Sequence, residues 1–166
     1  MLVTLVLLIT MLMAQVATVE PILTEATIDA PVADVWRAFT TKEGIESWMV
    51  GSGDIALHIG GRQRTSYTKG ADLDGDTAIH QEILAIDPER MIAMRVVKPP
   101  KGFPFPHAIA NTWTVIYFQP IDAMHTRVIA RMLGYTSDEE SVKMRAFFDK
   151  GNRATMSSLA KKFASR

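Results

Sequence analysis

Between Asp54 and Tyr135 the chain alternates short strand-like runs with turn signals, and it then becomes one long helical stretch from Ser137 to about Ala164, with Ser137 as its N-cap and Glu140 three residues on completing a capping box. The runs are Asp54–Ile59, Arg62–Thr68, Thr77–Asp87, Met91–Val97, Thr112–Gln119 and Thr126–Tyr135. Gly60-Gly61, Asp74-Gly75, Asp87-Pro88-Glu89 and Pro120-Ile121-Asp122 separate them, and these residue types set the backbone for tight turns. Strands joined in this way pair antiparallel, and grouped strands followed by a terminal helix make an α+β domain. Upstream, Ile22–Ala30 reads as a further strand that stops at Pro31. Pro31 suits the first turn of a helix through Phe39, on which Val32, Val35, Trp36 and Phe39 share a face. Thr41 is placed to cap a second short helix carrying Ile45, Trp48 and Met49, and Gly44 weakens that helix. The expected architecture is a curved antiparallel sheet of about six to seven strands wrapped around the C-terminal helix. The two short helices would plug one end, with Trp36 and Phe39 as the plug.

A chain of 166 residues, 48% hydrophobic and 22% charged, suits a single globular domain. Lys+Arg and Asp+Glu number 18 each, so the formal charge is zero, and no nucleic-acid partner is expected without a basic face. The absence of cysteine excludes disulfides, thiolate metal sites and thiol catalysis.

The N-terminus, MLVTLVLLITMLMAQVATVE, carries no charged side chain before Glu20. Its apolar run from Leu2 to Met13 leads to small residues at Ala14 and Ala17, the pattern of a signal peptide cleaved near Ala17. It departs from that pattern in having no Lys or Arg ahead of the run. The expectation is an export signal or, alternatively, an uncleaved anchor over residues 1–19, with a single domain over residues 20–166. The protein would then be periplasmic or secreted, and this segment would be its sole membrane contact.

Ile28-x-Ala30-Pro31-x-x-x-Val35-Trp36-x-Ala38-Phe39-Thr40, then Ile45-x-x-Trp48, resembles the opening of the START-like (SRPBCC) superfamily. Ala85-Ile-Asp-Pro-Glu-Arg90, Thr126-Arg-Val128 before Gly134-Tyr135, and Phe147-Phe148-x-x-Gly151-Asn152 continue the likeness. It spans roughly Ile22 to Phe163 and is nearest the branch named after the activator of heat-shock-protein ATPase, with its polyketide-cyclase-like relatives. The resemblance implies a helix-grip fold whose sheet and long helix enclose a mostly apolar cavity. It also implies one of three activities: carriage of a small hydrophobic molecule, cyclase or hydrolase chemistry without a cofactor, or binding of a protein partner. Family alone does not choose among them.

The interior can be read from the hairpin at Pro88-Glu89. An even-numbered loop sets Ile86 opposite Met91, Leu84 opposite Ala93 and Glu82 opposite Arg95. Leu84, Ile86, Met91 and Ala93 would then face inward, with Glu82, Arg95 and His80 in line behind them. In that setting Arg95 would hold a ligand carboxylate or phosphate, and His80 or Glu82 would serve as acid or base. The alternative is an exposed pair of little worth, and an odd loop would break the pairing. On the last strand Arg127 and Arg131 share a face with Ile129, which puts Val128, Ala130 and Met132 inside.

Lys98-Pro-Pro-Lys-Gly-Phe-Pro-Phe-Pro-His107 is too rich in proline for regular structure. Phe103 and Phe105 would form a lid over a cavity mouth or simply cap the core. In the final helix Phe148, Asn152, Thr155, Ser158 and Leu159 share a face, and mid-helix Gly151 implies close approach to the sheet or a kink. Asp72-Leu-Asp-Gly-Asp76 reads as a turn, because its glycine and twelfth residue do not fit a calcium loop. His58, His80, His107 and His125 lack metal-ligand spacing. The ligand-binding candidates are Trp48, Tyr67, His80, Glu82, Arg95, Phe103, Phe105, Phe118, Phe148, Asn152 and Thr155. No catalytic residue, metal or cofactor is assigned. A small hydrophobic molecule is the expected partner, ahead of the enzyme and interaction-domain readings.

Overall fold

The computed structural model describes residues 19–164, so the expected leader, Val19 excepted, lies outside the described residues. Strand β1 (Ile22–Ile28) leads into α1 (Val32–Thr40) and α2 (Lys42–Glu46). Five strands follow: β2 (Ser52–Ile55), β3 (Arg62–Ser66), β4 (Ile79–Asp87), β5 (Met91–Lys98) and, beyond α3 (Pro106–Ala110), β6 (Trp113–Pro120). Strand β7 (Thr126–Leu133) and α4 (Glu139–Ala164) complete the order. The strands form one antiparallel seven-stranded sheet in the order β1-β7-β6-β5-β4-β3-β2. This is the expected α+β helix-grip architecture, with the sheet curled about α4.

Alternation along each strand decides which face closes on the helices. Ile28, Ile83, Ile92, Ile116, Phe118 and Val128 point inward and meet Met156, Leu159 and Phe163 of α4. Val128 and Met132 are buried on β7 while Arg127 and Arg131 are exposed, as the sequence parity implies. The two short helices fill one end. Trp36 and Phe39 stand edge-on to Phe118 at centroid distances of 5.2 and 5.1 Å, and Trp48 meets Phe39 at 5.0 Å. Aromatic pairs in this arrangement add favourable quadrupole contact to the area they bury. The hydroxyl of Thr41 accepts from Gly44 N–H at 3.0 Å and starts α2 as expected.

The β4–β5 hairpin corrects the sequence reading in an instructive way. Its loop is odd, not even: Asp87 faces Met91, leaving Pro88, Glu89 and Arg90 in the turn. Pro88 follows Asp87 and Glu89 has φ 60°, while Arg90 N–H donates to Asp87 O at 2.9 Å, so the turn has type II character. That offset puts Ile86 opposite Ile92 and Ala85 opposite Ala93. A register shift between Ile83 and Ala85 leaves Leu84 as the extra residue, and beyond it Glu82 does face Arg95. The pair therefore exists, but on the outer face. Ile83 (0% exposed) points into the core, so its neighbour Glu82 points away from it.

Two helix ends also differ from expectation. Asp138, not Ser137, caps α4: Ser141 N–H donates to Asp138 Oδ1 at 3.0 Å, and Ser141 Oγ accepts from Thr136 N–H at 2.9 Å. The Thr136 hydroxyl, which donates to Asp138 Oδ2, and then Ser141 N–H hold the Asp138 carboxyl below its usual range. Glu140 is thereby freed for a different helix. Its Oε1 accepts from His107 N–H at 2.9 Å and Ala108 N–H at 3.2 Å, the open N–H groups at the start of α3. Helix α3 itself was not anticipated; Pro106 at its first turn is a start signal that the surrounding prolines hide.

Gly151 neither approaches the sheet nor lacks room: a Cβ added there would meet nothing within 4 Å. Its effect is thus confined to backbone entropy. Gly151→Ala should raise unfolding free energy by about 1 kcal/mol, measured by chemical denaturation; an unchanged or lower value would mean that the helix needs glycine there.

Candidate functional site

The inner face is not completely filled. Between the sheet, α4, the end of α1, the segment after α2 and the proline-rich loop lies a cavity of about 330 Å³. Its floor is built by inward positions of neighbouring strands: Gln63 and Thr65 on β3, Ile79 and Gln81 on β4, Met94 and Val96 on β5. Thr114, Ile116, Ala130 and Met132 extend it across β6 and β7. Phe147, Phe148, Asn152, Thr155 and Met156 of α4 form the opposite wall. Phe39, Trp48, Met49 and Val50 close one end, and Pro99, Pro100, Phe103 and Ile109 cover another.

Six of the eleven sequence-derived candidates line this space: Trp48, Tyr67, Phe103, Phe148, Asn152 and Thr155. Trp48 is held by its Nε1–H, which donates to Ala38 O at 2.9 Å. Tyr67 stands at the rim, 77% exposed. Phe105 stays behind the lining but supports it, 5.6 Å from Phe103 and 5.8 Å from Phe147 between ring centroids. Phe103 also meets Phe148 at 6.1 Å, so the loop and α4 share one aromatic cluster. Ser158, expected on the same helix face, is exposed and bonds back to Ala154 O at 3.1 Å.

The remaining four candidates do not reach the cavity. Phe118 is 2% exposed and lies in the core under Trp36 and Phe39. Glu82 and Arg95 pair at 2.7 Å on the outer surface, with side chains 30% and 50% exposed. His80, also on that side, is buried, and its Nε2 meets Leu73 O at 2.7 Å, which ties the turn at residues 72–76 to the sheet. That turn closes as expected, with Asp74 N–H donating to Asp72 Oδ1 at 2.9 Å. Its carboxylates answer nearby cations, Asp74 to Arg64 at 2.9 Å and Asp76 to Lys101 at 2.8 Å.

Among the described residues, no Asp, Glu, Lys, Arg or His side chain lines the cavity. Its polar groups are carboxamides (Gln63, Gln81, Asn152), hydroxyls (Thr65, Thr114, Thr155) and the rim phenol of Tyr67. The strongest shifts in acidity lie elsewhere. Arg64 is pushed up by its hydrogen bonds to Asp54 and Asp74, and Asp122 is pulled down by Met124 N–H and His125. Burial pushes the Tyr135 phenol up, and its hydroxyl donates to Met132 Sδ at 2.9 Å. Sequence reasoning missed Gln81 and Met94 because it assigned the β4–β5 faces through the even loop, and Thr114 because both faces of its strand carry apolar residues; it gave β3, and so Gln63, no inward face. One signal was present: in Arg62-Gln63-Arg64-Thr65 the charges alternate with neutral residues, which marks Gln63 and Thr65 as inward.

Residues 29–164 match the family model described as activator of Hsp90 ATPase homolog 1-like protein. No curated protein matches the chain. Among solved structures, a Mesorhizobium loti protein superposes with TM-score 0.67 at 18% identity, covering 87% of this chain and 97% of that one. The Aha1 dimer from Colwellia psychrerythraea gives 0.67 at 13% identity, covering 87% and 96%. A Nitrosomonas europaea protein gives 0.64 at 20% identity, covering 88% and 95%. Likeness at these identities is likeness of fold.

Since Arg95 is half exposed and paired outside the cavity, Arg95→Ala should change stability by less than about 1 kcal/mol and leave uptake of an apolar dye unaltered. Glu140→Ala, by contrast, removes the cap of α3 and should cost about 1 kcal/mol, with faster hydrogen exchange at His107 and Ala108. Equal protection of those two amides in the variant would contradict the assigned cap.

Proposed function

Because the chain belongs to the activator of Hsp90 ATPase homolog 1-like family, a START-like group, we propose that it binds a small, uncharged hydrophobic molecule between sheet and helix. The observation that carries this reading is an apolar cavity of about 330 Å³ whose lining, among the described residues, holds no acidic or basic side chain. That volume lies within the range of small-molecule sites, roughly 300–1,000 Å³. A buried charge on the ligand would have no counter-ion here, and its desolvation would go uncompensated. The cyclase or hydrolase alternative calls for two converging polar groups of tuned acidity. Of the groups that reading would use, His80, Glu82 and Arg95 lie outside the cavity and Tyr67 stands at its exposed rim. The interaction-domain alternative calls for a packed interior, so the open space favours the carrier.

The aromatic cluster gives the ligand a route. Phe147 is 54% exposed and sits 6.3 Å from Phe103, ring to ring, at the seam between α4 and the proline-rich loop. The loop's prolines limit its conformations, and the Glu140 cap anchors its far end through α3. Entry between Phe103 and Phe147 needs only ring rotation and a small shift of this loop. Residues 1–19, read as an export signal, would deliver the carrier to the periplasm or the exterior. Intact mass of protein purified from its host should then lack about the first seventeen residues, as cleavage near Ala17 requires; an unprocessed mass would contradict export by cleavage.

Nile red should bind with enhanced fluorescence, and Ala130→Phe, which fills the cavity from β7, should weaken it at least tenfold while the circular dichroism spectrum stays unchanged. With no His or carboxylate in the lining, affinity should be flat between about pH 5 and pH 8. No Nile red binding, or binding indifferent to Ala130→Phe, would refute the carrier reading.

A further inference from the structure

Two of the polar groups in the cavity stand out by position. Gln63 on β3 and Gln81 on β4 face each other directly in the antiparallel register, and both line the cavity. Cross-strand partners of this kind have Cβ atoms about 5 Å apart, so the two carboxamides can reach a single atom between them. Gln63 is 2% exposed. Neither carboxamide makes a side-chain hydrogen bond among the described residues, although other buried polar side chains, His80 and Thr126 among them, do. Thr65, two positions along the same face, is 5% exposed and adds a hydroxyl to the same wall.

We propose that Gln63 and Gln81 form the recognition point for a neutral oxygen function on the ligand, the inference resting on the carrier reading above. Each carboxamide offers two donors and one acceptor. Their polar atoms open onto the cavity, since among the described residues the fully buried side-chain polar atom without a partner is Thr24 Oγ1, and an oxygen placed between the two carboxamides would complete them. Folding itself gives no reason for glutamine at these positions: Ile79, Met94 and Val96 show that the same floor accepts apolar side chains. The absence of Lys, Arg and His from the lining rules against a carboxylate or phosphate headgroup, because carboxamide donors alone do not offset the desolvation of a full charge. The ligand class is therefore a compact apolar molecule carrying a ketone, ester or hydroxyl. A bare hydrocarbon leaves the glutamines unpaired, and a fatty-acid anion brings an uncompensated charge.

Three probes of matched shape test this with the full-length protein: fluorenone, its parent hydrocarbon fluorene, and fluorene carboxylate. Binding is followed by nuclear magnetic resonance, including the side-chain amide protons of Gln63 and Gln81. Fluorenone should bind at least tenfold more tightly than fluorene, the difference expected of one well-made hydrogen bond, and should shift both pairs of amide protons. The carboxylate should be the weakest of the three. In Gln63→Leu/Gln81→Leu the preference for fluorenone should vanish while fluorene binds as before or better; the melting temperature should not fall, since both changes make an apolar wall more apolar. Equal affinities for fluorenone and fluorene, or a preference that survives in the double variant, would overturn the proposal and leave the carrier reading standing. Failure of all three probes to bind would remove the carrier reading itself, and the proposal with it.

Discussion

The structure depends on how α4 meets the sheet. The helix packs against β1, at one margin of the sheet order, and its two halves face different surroundings. Met156, Leu159 and Phe163 fill the core with Val35, Trp36 and the inner strand residues. From Phe148 through Asn152 to Thr155 the helix presents residues that stand across an open space from Met94 and Thr114. A helix that were bulky and apolar along its whole inner face would close this space, and burial would then stabilise the fold by filling it. The chain instead stops filling where its residues turn small and polar.

What remains open is stabilised from its edges. Trp36, Phe39 and Phe118 lock one end through edge-to-face contacts, and the Phe103–Phe105–Phe147–Phe148 cluster covers another. Glu140 links that cover to α4 by completing the N-terminus of α3, more than thirty residues away in sequence. The ion pairs Arg64–Asp54, Arg95–Glu82 and Arg127–Glu25 all lie on the outward parity of the sheet. This segregation keeps charge in water, where a pair costs little, and leaves the interior to neutral groups.

Much of the fold was legible because alternation, turn residues and caps are local. Thr41 as the cap of α2, the plug of Trp36 and Phe39, and the inward Val128-Ala130-Met132 row of β7 all follow from neighbours in sequence. The cavity floor was less legible. One turn residue, Arg90, and one bulge, Leu84, each shift the register by a residue, and a single-residue slip exchanges the two faces of a strand. The two shifts cancel in the pairing of Glu82 with Arg95, so the correct pair was placed on the wrong face. The role of Glu140 was hidden for another reason. Its spacing from Ser137 fits a capping box, and only the tertiary fold brings it to α3 instead.

Native mass spectrometry of the full-length protein, purified gently from its host, tests the central claim most directly. A chain that holds a neutral hydrophobic molecule in its cavity should release one stoichiometric, uncharged small molecule on denaturation, and the Ala130→Phe protein should carry none. A bare polypeptide mass from every preparation, or a ligand retained equally by the filled-cavity variant, would contradict it.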